Sequence, residues 1–485
     1  MIRLPSIASA GALGILTIPL GACAGYQHYQ PAPLAPLDEA RAYNARRLDD
    51  PALAHVLAAH GVPANDTAWD SRSLAIAALY FRPDLTEAQR ALAAARAGET
   101  TAGARPYPSV TVTTNRAARA DGGHATPWSF SLTAGFRLER GGKREARIAR
   151  ARAATLAVRL RLESAAWRIV QGARQAGVSA VGADVDFADA EREAAALRTV
   201  LQLLRGRYAE GQLPRTELAR SATDVQTAAV GASQAARART DARSTLARAL
   251  AVPLRQVDQL PLRPEARSGC HAVDSRSLDT LQTLALRTLP GVGEALADYS
   301  VAEADLRVQI AQQYPDVVLG PGIAWEQGVQ RWLLSFALPN IATDRARGPI
   351  AEAAARRAVQ AARVRSVQDS VLTGVDSAVA ACRHIDREVA VADSLVRSSG
   401  EQHALAQAAY QRGEIGQTEV AFAELGLVRT RRTQHQAAER ALASGIALEN
   451  AIGIWLSERA IPWQDLIVSP DSIGSSRDSR PDHRR

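Results

Sequence analysis

In residues 129–138, SFSLTAGFRL, apolar and polar side chains alternate. Phe130, Leu132, Ala134, Phe136 and Leu138 fall on one face, and Ser129, Ser131, Thr133, Gly135 and Arg137 on the other. A period of two marks a half-buried strand. The preceding YPSVTVTTN (107–115) carries the same period, with Val110 and Val112 set between threonines, and RAARADGGHATP reads as a polar loop joining the two. Further on, YPDVVLGPGIAW (314–325) and RWLLSFALP (331–339) form a second pair across the short turn EQGVQ. Each strand has about 9–11 residues, the length that crosses a bilayer in a tilted barrel. An isolated hairpin is marginal in water, and four strands are too few for a closed barrel, so closure needs several chains.

Elsewhere the period is helical. From Lys143 to about Arg205 there is no Pro. Steps of seven from Ile148 meet Thr155, Leu162, Ile169, Ala176, Ala183, Ala190, Leu197 and Leu204, an uncharged coiled-coil seam rich in small residues. Val364, Val371, Ala378, Ile385 and Ala392 continue the theme later in the chain. A helix of roughly 60 residues extends about 90 Å at 1.5 Å per residue. Pro-free runs follow at roughly 216–250 and 418–454, so the helices are expected to return as hairpins.

The stretches between outgoing and returning helices nearly repeat. YAEGQLPRTELA (208–219) and YQRGEIGQTEVA (410–421) align Tyr208 with Tyr410, Gly211 with Gly413, Leu213 with Ile415, and Thr216-Glu217 with Thr418-Glu419. The correspondence runs outward, placing Pro83 on Pro290 and Tyr107-Pro108 on Tyr314-Pro315. The chain therefore reads as a tandem duplication, with repeat 1 over 71–254 and repeat 2 over 278–456. Residues 255–277 join the repeats, and 457–485 form a C-terminal segment with a disordered tail. Thr216 and Thr418 read structurally as N-caps, each followed by a carboxylate that the helix dipole favours.

Composition narrows the function. Aromatics make up only 5% of the 485 residues, which suits long helices packed through alanine. The net charge of +8 comes from arginines interleaved with acids, as in ADAEREAAALR (188–198), and reads as a solvated helix face. No nucleic-acid-binding signature accompanies it. No nucleophile elbow, phosphate-cradling loop or metal-spaced His/Cys cluster is present, so no enzyme and no cofactor are expected. The single Met is Met1, which excludes a thioether relay for Cu(I) in a mature chain. Residues 1–22 read as a secretion signal ending in Leu20-Gly21-Ala22-Cys23, which resembles the bacterial lipobox. Cys23 is then the lipidation site at the head of a lipid-anchored segment, 23–70, and Ala24 after it points to the outer membrane. Cys270 and Cys382 remain, free to pair in an oxidising periplasm or to stand alone.

Lipobox, duplication, two strands per copy and long hairpins closed by Tyr-x-x-Gly resemble the TolC family of outer-membrane efflux ducts. The junctions LERGGKREARIARARA (138–153) and ALPNIATDRARGPIAEAAARR (337–357) resemble the CzcC-like heavy-metal branch. The resemblance implies a mainly α fold with a small membrane β-barrel contribution. It implies a homotrimer with a twelve-stranded barrel in outer-membrane lipid and a helical cylinder in the periplasm. Its partners would be a periplasmic adaptor and an inner-membrane pump of the resistance-nodulation-division type, with no nucleic acid. Tyr208, Gly211, Leu213, Tyr410, Gly413 and Ile415 would form the adaptor-docking rim. Glu217 and Glu419 stand near a family pore constriction. Tyr107, Trp128, Tyr314, Trp325 and Trp332 lie near strand ends, where an aromatic belt would sit. The cargo is read as divalent metal cations. Drugs, solvents or a secreted polypeptide fit the same duct, and a lipid-tethered periplasmic scaffold or adaptor is the reading from a different class.

Overall fold

The computed structural model describes residues 29–62, 68–116, 128–264, 270, 273, 276–326, 329–337 and 344–455. Residues 1–28, which include the expected secretion signal and Cys23, lie outside the described residues, as do 117–127 and 456–485. A first unit ends at Ala45; its helix α1 (Pro36–Asn44) opens on a proline and is exposed along its length. The rest belongs to a second unit that starts at Arg46.

In this second unit α2 (Pro51–Ala59) precedes two passages of one motif. The first is α3 (Ser71–Phe81), α4 (Pro83–Gly103), β1 (Ser109–Arg116), β2 (Trp128–Leu138), α5 (Lys143–Ala209) and α6 (Arg215–Leu250). The second is α7 (Leu278–Thr288), α8 (Pro290–Gln312), β3 (Val317–Glu326), β4 (Val329–Ala337), α9 (Asp344–Gln411) and α10 (Gln417–Ile452). The long helices have 67 and 68 residues and the returning helices 36 each, so the duplication reaches the lengths of its parts. The chain breaks alike before α4 and α8. Arg82 and Leu289 are held extended, with ψ of 120° and 118°, and a proline opens the helix that follows. A residue before proline avoids the helical region, and proline at the first helical position loses no hydrogen bond.

The returning helices are about half as long as the outgoing ones. Toward the tips α5 packs against α6 and α10, and α9 against α10. Toward the sheet α4 and α8 take the place of the return helices, α4 on α5 and α8 between α5 and α9. Ion pairs fasten this upper part: Lys143 to Asp316 at 2.7 Å, Arg147 to Glu139, and Arg150 and Arg161 of α5 to Asp305 and Asp298 of α8. The seven-step seam of α5 is the packed face, where Leu162, Ile169, Ala176, Ala190, Leu197 and Leu204 are all buried.

The main core gathers around α3, which is buried along nearly its whole length against α5 and α6. Its counterpart α7 buries only Leu281 and Ala285 against α9 and α10. A disulfide between Cys270 and Cys382 completes that second core. It clips the inter-repeat segment to α9 across 112 residues of sequence, which on the chain-entropy account is worth about 4–5 kcal/mol.

The two copies meet where α5 crosses α10. Arg174 of α5 and Glu449 of α10 form an ion pair whose side chains are 1% and 2% exposed. Gln171 accepts from Arg174 at 3.3 Å, and the guanidinium lies over the Trp455 ring, 4.2 Å from its centroid. Beside it Trp167 donates to Asn450 at 3.1 Å. A buried pair of this kind adds little over a well-packed apolar pair, but losing one partner strands a charge. Arg174→Met is therefore expected to lower stability by about 3–5 kcal/mol, and Arg174→Met with Glu449→Leu to recover most of that. Denaturant midpoints of the purified variants check both.

Candidate functional site

The four strands form one antiparallel sheet in the order β1-β2-β3-β4, so the two copies join through β2 and β3. Direct cross-strand partners share a face, and their register assembles a single apolar surface. Val112 faces Leu132, Leu132 faces Ile323, and Ile323 faces Trp332. Phe136 faces Leu319, which faces Phe336. The opposite surface is mixed, with Ser, Thr, Gly and Arg on β1 and β2 and with Val318, Val329 and Leu333 among the residues of β3 and β4. The apolar surface is exposed, Val110 by 68%, Leu334 by 64% and Trp332 by 83%, and on the outer strands β1 and β4 the opposite surface is exposed as well. An uncovered apolar patch of this extent marks a contact with membrane or protein. The outer edges of β1 and β4 have no strand beside them among the described residues.

The aromatic residues expected near strand ends divide by level. Trp128 pairs with Arg116 at the turn end, where the Arg116 guanidinium lies over its ring, and Trp325 pairs with Gln330 at the same end. Trp332 stands further in, opposite Ile323. Tyr107 and Tyr314 lie just outside β1 and β3 at the helix end, and Tyr314 packs so closely on Gly141 that a Cβ there would meet its ring. Both tyrosines precede the strands, which begin two or three residues later than the alternation suggested, at Ser109 and Val317.

At the other end of the long helices the two hairpin tips share one backbone design. Gly211 and Gly413 sit in the left-handed region, with φ of 72° and 75°. Gln212 N–H donates to the Arg207 carbonyl at 2.9 Å, and Glu414 N–H to the Ala409 carbonyl at 2.9 Å. This is the Schellman closure, which glycine allows without strain. Tyr208 and Tyr410 are exposed beside these turns, and Ile415 is half-buried. Leu213 departs from the expectation that it forms part of an exposed rim. It is buried with Val200 and Leu204 of α5 and Ala421 of α10, because the residue after a Schellman turn folds back on the helix. The same cluster brings the two tips side by side, with Arg207 3.5 Å from Glu419.

Two further expectations are corrected. Thr216 and Thr418 are not N-caps: α6 starts at Arg215 after Pro214, and α10 starts at Gln417 after Gly416, with no side-chain cap bond at either. At the first site the Pro214 carbonyl accepts from Glu217 N–H at 3.1 Å, and at the second Thr418 is buried. Glu217 and Glu419 occupy the third helical position, both exposed, where the dipole favours a carboxylate. The acids around 188–198 do not form a solvated face either. Asp184 pairs with Arg239 and Arg243 of α6; Asp186 with Arg432 of α10; Asp189, 2% exposed, with Arg192 and with His435 at 2.6 Å; and Glu193 with Arg429. The hydrogen bond from Arg432, joined by one from Gln436, holds the Asp186 carboxyl below its usual range.

Residues 74–252 match the family described as outer membrane efflux protein. No curated protein matches the chain in sequence. Among solved structures the chain resembles CusC, at 18% identity and a TM-score of 0.63 over 79% of this chain and 92% of that one. It resembles the CmeC outer membrane channel of Campylobacter jejuni at 13% identity and a TM-score of 0.64, over 98% of both chains. VceC, an outer membrane protein of Vibrio cholerae, matches at 17% identity and a TM-score of 0.63 over 80% of this chain and 97% of its own. The chain has the fold of an outer-membrane efflux channel.

A tip glycine and a helical one give a test of opposite signs. Gly413→Ala, at positive φ, is expected to cost about 1–2 kcal/mol. Gly231→Ala, inside α6 where a Cβ meets nothing within 4 Å, is expected to gain about 0.5–1 kcal/mol. Denaturant unfolding of the two variants measures the difference.

Proposed function

We propose that this chain is one protomer of a trimeric outer-membrane exit duct, anchored by lipid at Cys23, that carries divalent metal cations out of the cell. The observation that carries the reading is the sheet. Its apolar face is exposed and neither edge has a strand beside it among the described residues, so it gains most from joining other copies in a bilayer, where three sheets of four strands close a barrel of twelve. No described helix is long and apolar enough to cross a membrane. The Trp128 and Trp325 level and the Tyr107 and Tyr314 level are its two interfacial girdles. The disulfide supports assembly in an oxidising compartment, and it leaves Cys23 as the one cysteine for a thioether-linked lipid.

The paired tips are the face toward the partners, a periplasmic adaptor leading to an inner-membrane pump of the resistance-nodulation-division type. Tyr208, Tyr410 and Ile415 offer the contact, Gly211 and Gly413 set the turn, and Leu213 supports the rim from beneath. Glu217 and Glu419 narrow the pore there and favour cations. The duct itself is passive, and choice of cargo lies upstream in the pump. The metal cargo rests on the two strand-to-helix junctions, 138–153 and 337–357.

A deletion strain challenged with divalent metals, dyes and antibiotics tests the cargo, and conductance of the purified chain in a planar bilayer tests the duct. Selective sensitivity to zinc, cobalt, cadmium or nickel is expected, together with stable single-channel steps. Sensitivity to drugs alone overturns the metal cargo, and a chain that forms no pore overturns the duct.

A further inference from the structure

A cavity of about 190 Å³ lies between the lower part of α5, α3 and α10. Its walls are apolar: Leu74 of α3, Val178, Val181 and Val185 of α5, and Leu442 of α10. Its roof is a clip between two distant segments. Trp69 N–H donates to the Pro261 carbonyl at 2.8 Å, and Arg263 N–H to the Trp69 carbonyl at 2.8 Å, which sets Trp69 and Leu262 over the opening. Arg243 fixes the same inter-repeat segment from below by donating to the Leu260 carbonyl at 2.8 Å.

Two polar side chains enter from α10, one turn apart: His435 and Glu439. Glu439 lies across the backbone of α5 at Gly182, so closely that a Cβ there would collide with the carboxyl group. The notch exists because residue 182 has no side chain, and it holds the carboxyl at the cavity wall.

The charges around it leave Glu439 as the exception. On α5, Asp184 is paired with Arg239 and Arg243, Asp186 with Arg432, and Asp189 with Arg192, while the His435 ring is hydrogen-bonded to Asp189. On α10, Arg440 is engaged by Glu388 of α9 at 2.7 Å. Glu439 has no hydrogen bond or ion pair among the described residues. Burial, together with the neighbouring Asp186 and against a smaller pull from Arg440, pushes its carboxyl up from the ordinary range. Arg263 lines the cavity from the roof strand, so a bound positive charge has to lie at the α10 wall. No group of three or more potential metal ligands occurs among the described residues, and a single carboxylate facing aliphatic walls does not suit a hard divalent ion.

We propose that this cavity is a binding site for a small organic monocation with an apolar body, its ammonium group paired with Glu439 and its body against Val181, Leu442 and Trp69. The ligand supplies a cation for Glu439, and burial of its apolar part supplies affinity. Trp69 at the roof adds an aromatic face to which a cation is attracted. Binding at this site does not depend on whether the chain conducts.

The sign of the pH dependence follows. Glu439 has to be ionised, so affinity is full above its raised value and falls as the pH drops through it. Calorimetric titration of the detergent-extracted full chain with benzyltrimethylammonium tests the site, with benzyl alcohol and benzenesulfonate as neutral and anionic comparators. Saturable binding is expected for the cation alone. It should weaken at least about ten-fold in Glu439→Gln, which removes a charge without changing size, and be lost in Val181→Trp, which fills the cavity. Equal binding of the comparators, unchanged affinity in Glu439→Gln, or no saturable binding of the cation at pH 8 each overturns the proposal.

Discussion

A strand that crosses hydrocarbon has no water to bond to, so each of its backbone N–H and C=O groups needs a partner within the protein. One chain meets that demand only in part. β2 and β3 are paired on both sides, while among the described residues β1 and β4 each keep an outer edge. The apolar face across all four strands adds to the same imbalance, since in water it is a liability and in lipid it is an outer wall. On this account assembly is a condition of the fold and not an addition to it. The duplication contributes by making the sheet four strands wide, with the join between copies carried by the β2–β3 ladder.

The helices obey a different constraint. A long wall built from two copies has to hold together along its length without a large globular core. The small side chains of the seven-step seam let backbones approach closely, and α3 concentrates most of the apolar burial in one place. Nearer the tips ion pairs join the copies, with Asp186 and Glu193 of α5 matched by Arg432 and Arg429 of α10. Such a seam specifies alignment more than it adds stability. The copies are not equivalent: the first rests on a nearly fully buried α3, and the second on an amphipathic α7 reinforced by a disulfide.

Much of this was legible in the sequence because it is periodic. The alternation in SFSLTAGFRL placed β2 at Trp128–Leu138, and the Pro-free run from Lys143 marked the start of α5. The glycines of the Tyr-x-x-Gly stretches marked the left-handed turns at the tips. What escaped depends on pairs far apart in sequence. Arg174 and Glu449 are 275 residues apart, and Cys270 and Cys382 112 apart, so neither partner announces the other. The acids near Asp189 looked solvated because charge spacing along one helix says nothing of the helix that packs on it. Thr216 and Thr418 looked like caps because residue type alone suggested it, whereas the preceding Pro214 and Gly416 determine where the helices begin. The apolar notch at Gly182 was hidden for the same reason, since one glycine in a long helix reads as a weak point until Glu439 is seen across it.

The claim on which the rest depends is that the apolar face of the sheet meets lipid. Cysteines introduced singly from Leu333 to Phe336 and spin-labelled in reconstituted membranes test it by accessibility to oxygen and to a water-soluble nickel chelate. Cys270 and Cys382 are bonded to each other and do not take the label. The account predicts a period of two, with positions 334 and 336 open to oxygen and positions 333 and 335 open to the chelate. Equal access of the chelate to all four positions would place the sheet in water and contradict it.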